Sequence, residues 1–295
     1  MNTVTIITPT YNRSDLLEKL YLSLEKQTNK DFLWLIVDDG STDDTKNMID
    51  CLKKKSSFLI EYIFKRNGGK HTALNYGINV VNTELTMIVD SDDVLLPNAI
   101  KEICDIHEKY KNINSIGAYS FLKCFSNGKP IVSLHKEEFV TSYVKYRIKE
   151  NRPGDMAEVF KTNILKKYPF PVFDNEKFLS EDVVWIQLGL NYKYVFVNKA
   201  IYQCEYLDGG LTANDKPMKF ASPMGSMMRG KILMNKECGI KQNIKGAIIH
   251  ECYKKELSNR ENDKRLELNL KEKALCFFTK PMSNYFYKMW KKETI

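Results

Sequence analysis

The chain has 295 residues, 43% of them hydrophobic and 28% charged, with 14 Gly and 9 Pro, an ordinary globular mix that excludes collagen-like, low-complexity and wholly disordered descriptions. Its net charge of +8 is uneven: residues 216–295 hold 18 Lys and Arg against 8 Asp and Glu, leaving 27 against 29 in residues 1–215, so a basic tail that suits an anionic surface or plain solubility follows a near-neutral body. Seven scattered Cys without a C-x-x-C pair exclude a disulfide framework and a zinc knuckle and point to a reducing cytoplasm, and no apolar run reaches the ~18 residues of a spanning helix.

In chain order, Thr3–Thr8 reads as a strand rather than a leader peptide, followed by a helix after Ser14 as N-cap with Leu16, Leu17, Leu20 and Leu24 on one face. Phe32–Val37 is an apolar run of the kind a parallel strand covered on both faces requires. A helix from about Asp43, capped by Ser41 or Thr42, turns Met48, Ile49 and Leu52 inward. Ile60–Phe64 is a third strand, Thr72–Val81 a helix, Leu85–Val89 a fourth strand and Ala99–Tyr110 a helix. This βαβ rhythm predicts an α/β fold with a mainly parallel sheet and helices on both faces.

Beyond Tyr110 the pattern becomes α+β. Ser126-Asn127-Gly128-Lys129 is expected to turn a hairpin between Ala118–Phe125 and Ile131–Leu134. Glu181–Leu190 is a helix, Tyr194–Val197 and Ala200–Tyr206 are strands, and helix-forming polar sequence takes over from Lys216. Three parts are expected: 1–110, 111–215 and a basic helical extension over 216–295.

Ligands of open parallel sheets bind outside the carboxyl ends of the strands. Here those ends read Thr8-Pro9-Thr10-Tyr11-Asn12-Arg13, Asp38-Asp39-Gly40-Ser41, Lys65-Arg66-Asn67-Gly68-Gly69-Lys70 and Asp90-Ser91-Asp92-Asp93. No P-loop is present, because Gly69-Lys70 runs into His71, and no G-x-G-x-x-G follows the first strand. A bound nucleotide is therefore not held by a glycine cradle. Asp90, Asp92 and Asp93 fit two readings, oxygen ligands for a divalent cation or acidic charges ahead of the helix at Ala99.

Taken together, six ordered blocks resemble the family 2 glycosyltransferases over about residues 3–212. They are Thr8–Arg13, Val37–Asp43, Asn67–Gly77, Asp90–Asp93, Ser180-Glu181-Asp182 and Tyr206–Thr212. The resemblance implies a GT-A (Rossmann-like) fold, with a nucleotide-sugar-binding part over 1–110 and an acceptor part over 111–215. It implies an inverting, metal-dependent transfer of a sugar from a nucleotide donor, UDP foremost, to a hydroxyl of a glycan or lipid-linked acceptor, as in bacterial surface polysaccharide synthesis. Pro9, Tyr11, Asn12 and Arg13 would line the base and ribose, and Asp39 would accept from the base. Asp90 and Asp92 would form the Asp-x-Asp element, with Asp92 on Mn²⁺ or Mg²⁺ and Asp90 toward the ribose. Asp182 matches the general base, although Ser180-Glu181-Asp182 is by itself also a helix start.

Other residues keep two readings. Lys70 and His71 either touch the diphosphate or support structure, and Asp38 organises a turn. Asp93 and Glu205 are further oxygen ligands or bystanders. Trp34, Trp185 and Tyr192 are core or acceptor-pocket walls, and Gly209-Gly210-Leu211-Thr212 is a loop over the donor or an ordinary turn. Residues 274–292 mix aromatics with Lys and contain no acid. They suit an interfacial helix on the inner face of a membrane or a helix docked on its own domain, divided by Pro281. A sugar-phosphate nucleotidyltransferase and a non-catalytic sugar-nucleotide-binding subunit are the competing functions. Nucleic acid is not an expected partner.

Overall fold

A computed structural model describes residues 2–204, 215–257 and 263–294. Glu205, the Tyr206–Thr212 block and the boundary expected near 215 fall outside or at the edge of the described residues. Two compact units divide the chain: Met1–Ser142 with Pro153–Pro169 and Asn191–Glu205, and Tyr143–Arg152 with Phe170–Leu190 and Tyr206–Ile295.

The first unit is an α/β fold. Its strands are β1 (Val4–Thr10), β2 (Phe32–Asp38), β3 (Leu59–Phe64), β4 (Leu85–Ile88), β5 (Val94–Leu95), β6 (Ile116–Cys124), β7 (Glu138–Ser142), β8 (Met156–Lys161) and β9 (Lys193–Gln203). They form one sheet in the order β3-β2-β1-β4-β8-β6-β9-β5, with β7 paired to β9. β3, β2, β1 and β4 are parallel, as the βαβ rhythm requires. β8 then enters antiparallel between β4 and β6, and β6 runs parallel to β9.

Helices α1 (Ser14–Glu25), α2 (Thr45–Lys55), α3 (Lys70–Val80), α4 (Ala99–Tyr110) and α5 (Thr162–Leu165) connect these strands. Side chains alternate along a strand. Ile6, Trp34, Ile36 and Met87 share a core with Leu17, Leu20 and Leu24 of α1, Ile49 of α2 and Ile103 of α4. On the opposite face Ile7 and Val37 meet α3 at Gly77, where an added Cβ would come within 3.0 Å of Val37 Cγ2. Helices thus cover both faces.

Several local expectations are corrected. Ser14 is the first helical residue of α1 and Arg13 its cap, with no capping side chain. Neither Ser41 nor Thr42 caps α2; its first residue, Thr45, is tied to the Asp43 carboxylate through N–H (3.2 Å) and Oγ1 (2.5 Å). The turn at 126–129 forms, with Phe125 N–H donating to Lys129 O at 3.0 Å, but Ile131–Leu134 is no strand and only a bridge from Cys124 to Pro130 remains. β6 has its edges taken by β8 and β9 instead. The two late strands are one, β9, paired with β6 through three register shifts.

The second unit is helical: α6 (Asp182–Asn191), α7 (Asp215–Ala221), α8 (Pro223–Leu233), α9 (Ile240–Tyr253) and α10 (Leu270–Lys292), with a π-helix at Val144–Lys149. A capping box opens α10, Asn269 Oδ1 accepting from Glu272 N–H at 3.0 Å and Glu272 from Asn269 N–H at 2.9 Å. Pro281 does not divide the segment. It lies inside α10 at an exposed position.

Candidate nucleotide and metal site

The loops after β1 and β2 are laced together. Asn12 sits at φ 50° in the left-handed region, which Asn tolerates. Its N–H donates to Ser41 Oγ at 2.8 Å, while its Oδ1 accepts from Thr42 N–H at 2.7 Å. Pro9 is buried within β1 beside Val37, and Tyr11 is 48% exposed just past the strand end. Asp38 accepts from Ser41 N–H (2.7 Å) and Tyr62 Oη (2.8 Å), so it organises this turn.

Asp39 is 4% exposed, and its carboxylate shapes the loop after β3. It accepts from Gly68 N–H (3.0 Å), Gly69 N–H (2.7 Å), Asn67 Nδ2 (3.2 Å) and Lys65 Nζ (2.5 Å). Gly40, at φ +89°, has to be glycine, since a Cβ there would stand 2.8 Å from Asn67 N. The sequence singled out Asp39 and the Asn67-Gly68-Gly69 run separately. That one carboxylate holds the other loop was legible in neither.

His71 follows directly, 2% exposed, with no hydrogen-bond partner at Nδ1. Burial pushes the imidazole down to about 4, against the pull of Asp39 and with a smaller push from Lys65. Between pH 4 and the ordinary histidine value of about 6.5 the unfolded chain binds a proton that folded His71 refuses, so this residue makes stability fall as pH drops through that window. The effect reaches about 3 kcal/mol at most. His71→Asn is expected to flatten the pH dependence of the urea midpoint over that range. An unchanged slope would show that the imidazole is not held neutral.

Asp90, Asp92 and Asp93 stand at the end of β4, each offering a carboxylate oxygen within 4.8 Å of the other two. Lys70 Nζ pairs with Asp90 at 2.5 Å and Arg13 with Asp92 at 3.1 Å, and Arg13 also donates to Ser91 Oγ at 3.3 Å. Asp93 accepts from Tyr202 Oη at 2.7 Å, and that hydroxyl accepts from Asp90 N–H at 3.1 Å. Burial pushes the Asp93 carboxyl up to about 6. Asp90 is held below the usual carboxylate range because Lys70, Lys123 and Arg13 outweigh its burial. Tyr202 and Lys123, whose Nζ lies 4.2 Å from the Tyr202 ring centre, come from β9 and β6 and carried no signal in the sequence.

The donor set is all oxygen and triply acidic, which fits a hard divalent cation. The structure brings Arg13, Lys70, Asp90, Asp92 and Asp93 into one cluster. Trp34 is core, its Nε1 donating to Thr8 Oγ1 at 2.9 Å, and Tyr192 packs edge-on against Tyr168. Glu205 lies outside the described residues.

Asp182 belongs to the helical unit and opens α6. Both of its oxygens accept from Arg229 Nε, at 2.9 and 2.8 Å, while Arg229 Nη2 lies 2.7 Å from Oδ2 and Ser180 Oγ donates at 2.6 Å. Burial alone raises a carboxyl, yet Arg229, Ser180 and Lys219 hold this one below the usual range. Arg229, 47 positions downstream, is a partner that no local pattern announces. Trp185 is core here, edge-on to Phe170.

The family described as "Glycosyl transferase family 2" matches residues 5–167. A GalNAc(5)-diNAcBac-PP-undecaprenol beta-1,3-glucosyltransferase of Campylobacter jejuni is 27% identical over 247 residues, covering 80% of this chain and 75% of that protein. Several further relatives, uncharacterised glycosyltransferases, are matched over only 33% to 43% of their own length. Staphylococcus aureus TarS 1-349, solved in complex with UDP-GlcNAc, shares the fold at TM-score 0.63 and 18% identity over 95% of this chain and 79% of that one. So does the Pyrobaculum calidifontis mannosyltransferase PcManGT, solved with GDP-Man and Mn²⁺, at TM-score 0.57 and 16% identity over 99% and 83%.

Proposed function

The chain belongs to glycosyl transferase family 2, and from that premise we propose that it transfers a sugar from a nucleoside-diphosphate donor, UDP foremost, to an acceptor hydroxyl with inversion. The observation that carries the proposal is the Asp90, Asp92 and Asp93 cluster at the end of β4, in the same unit as the loop that Asp39 anchors. Asp92 and Asp90 would hold Mn²⁺ or Mg²⁺, with Asp93 behind them. The cation supplies Lewis-acid stabilisation of charge on the departing diphosphate. Arg13 and Lys70, which pair with Asp92 and Asp90, would be the cationic donors to the phosphate oxygens. Asp182 takes the proton of the acceptor hydroxyl as that oxygen attacks, and the bond from the anomeric carbon to the diphosphate breaks.

A lipid-linked glycan is the acceptor class we favour, because the C. jejuni relative is named for an undecaprenol-diphosphate-linked substrate. Among the described residues no helix is long and apolar enough to cross a membrane. Reaching such an acceptor would fall to α10, where Leu270, Phe277, Phe278, Met282 and Tyr285 are exposed on one side while Cys276, Thr279 and Ser283 are buried on the other. Lysines flank this apolar stripe, as in helices that lie in an anionic interface. Replacing Phe277, Phe278 and Tyr285 by Ser is expected to abolish sedimentation with anionic vesicles while leaving the fold intact. Absence of any binding by the unaltered protein would remove the membrane role.

Nucleotide release from UDP-, GDP- and dTDP-sugars with Mn²⁺ or Mg²⁺ tests the main reading. Release from none of them, with a lipid-linked acceptor present, would refute it. For the base site, Asp39→Ala is expected to weaken UDP binding tenfold or more, since charged hydrogen bonds are worth roughly 1.5 to 3 kcal/mol. Lys65→Met separates two routes to that loss. If it weakens UDP as much as Asp39→Ala, the carboxylate acts by holding the loop. If it strengthens UDP binding, Asp39 reads the base directly once its own cation is gone. Calorimetry distinguishes the two.

A further inference from the structure

Among the described residues the helical unit holds a second cluster of potential metal ligands, sharing no residue with the acidic cluster at the end of β4. His250 and Glu251 of α9 and Cys276 of α10 each offer one ligand atom within 4.8 Å of the other two. His250 is 2% exposed, and neither Nδ1 nor Nε2 has a hydrogen-bond partner. Buried ring nitrogens are normally satisfied, so a fully buried imidazole with both left open calls for an explanation. Its Nδ1 stands 3.5 Å from Glu251 Oε1, longer than a good hydrogen bond. Two ligands held at about 2.0–2.1 Å around a tetrahedral ion lie about 3.3 Å apart, close to this spacing.

The sulfur side of the cluster is equally specific. Cys276 is 5% exposed, with Sγ 4.0 Å from Met234 Sδ, and Ala247, Leu268 and Leu275 complete an apolar surround. We propose that His250, Glu251 and Cys276 bind Zn²⁺ and so pin α9 to α10, with Met234 or a water at the fourth position.

A nitrogen, sulfur and carboxylate set suits zinc, and the thiolate and carboxylate together balance its charge. Mg²⁺ and Mn²⁺ prefer the all-oxygen set at Asp90, Asp92 and Asp93, so the two clusters sort different metals. Without a cation, burial and the Glu251 charge push the Cys276 thiol up to about 12, and it keeps its proton. Binding therefore releases that proton to solvent. Lys254 Nζ, 3.9 Å from Glu251 and itself exposed, has only to swing outward to make way.

Co²⁺ titration of the full chain, freed of metal, tests this directly, since cobalt in a tetrahedral site with one thiolate gives intense visible bands and a sulfur-to-cobalt charge-transfer band. Those bands are expected at one equivalent, and one equivalent of Zn²⁺ should erase them. Cys276→Ser and His250→Gln should lose the bands and at least about 100-fold in Zn²⁺ affinity, more than the 10- to 100-fold of an outer-shell change. Asp92→Asn should retain them. The folded wild-type protein giving no thiolate band overturns the proposal without recourse to any variant. A band that survives Cys276→Ser, or disappears in Asp92→Asn, overturns it equally, because the ion then sits elsewhere.

Discussion

Asp182→Asn is expected to lower sugar transfer by about 10²- to 10⁴-fold, the range associated with a positioned general base, while UDP and metal binding stay nearly unchanged. The substitution keeps the shape and removes only the proton acceptor. Two features of the site sharpen this expectation. Arg229 and Ser180 occupy both carboxylate oxygens, and Arg229 leads the groups that hold the carboxyl below the usual range against its burial. A depressed value in the folded state means that Asp182 stays ionised until pH falls through that value. The acid limb of the transfer rate is thus expected below the ordinary aspartate value of about 3.9. Arg229→Leu should move that limb upward. Product NMR should show an inverted anomeric centre; retention, or near-normal transfer by Asp182→Asn, would falsify the mechanism and leave the nucleotide-binding fold standing.

Asp92→Asn is the second large effect. Removing one of the charges proposed to hold the cation is expected to slow transfer by about 10²-fold or more, because loss of a single oxyanion-stabilising group already has that effect. Chelation with EDTA should do the same to the wild-type protein, with recovery on Mn²⁺. The variant should also lose any gain in UDP affinity on adding Mn²⁺. If metal still strengthens UDP binding to Asp92→Asn, the cation is held by other residues. Asp92 pairs with Arg13 at 3.1 Å, so the substitution also frees Arg13, and metal-free UDP binding is expected to hold steady or rise slightly.

The parallel half of the sheet was legible because each of its strands is a local apolar run and each connecting helix repeats Leu or Ile at helical spacing. Strand ends could then be read directly, which placed Asp39 and Asp90 through Asp93 before any contact was known. β5, of two residues, and β7, with no fully buried position, give no such run. β8 is mostly buried, but it pairs antiparallel with β4 and β6 outside the βαβ repeat, so no local rhythm announces it. The false hairpin at Ile131–Leu134 has the same origin. Its turn chemistry was sound, but the edges of β6 were claimed by strands that begin 32 and 69 residues after β6 ends.

What the sequence by itself determined was the βαβ order, the burial of β2, the carboxyl-end position of the acidic residues and, through six ordered blocks, the family. Those properties follow from windows of ten or so residues, over which periodicity and turn chemistry act. The tertiary structure alone decided which charges meet: Lys70 with Asp90, Arg13 with Asp92, Tyr202 with Asp93, Arg229 with Asp182, and His250 and Glu251 with Cys276. Each partner but the first is more than twenty residues from its mate. A side chain's electrostatic environment depends on distance in space, and the chain brings such residues within a few ångströms only after its apolar faces have packed.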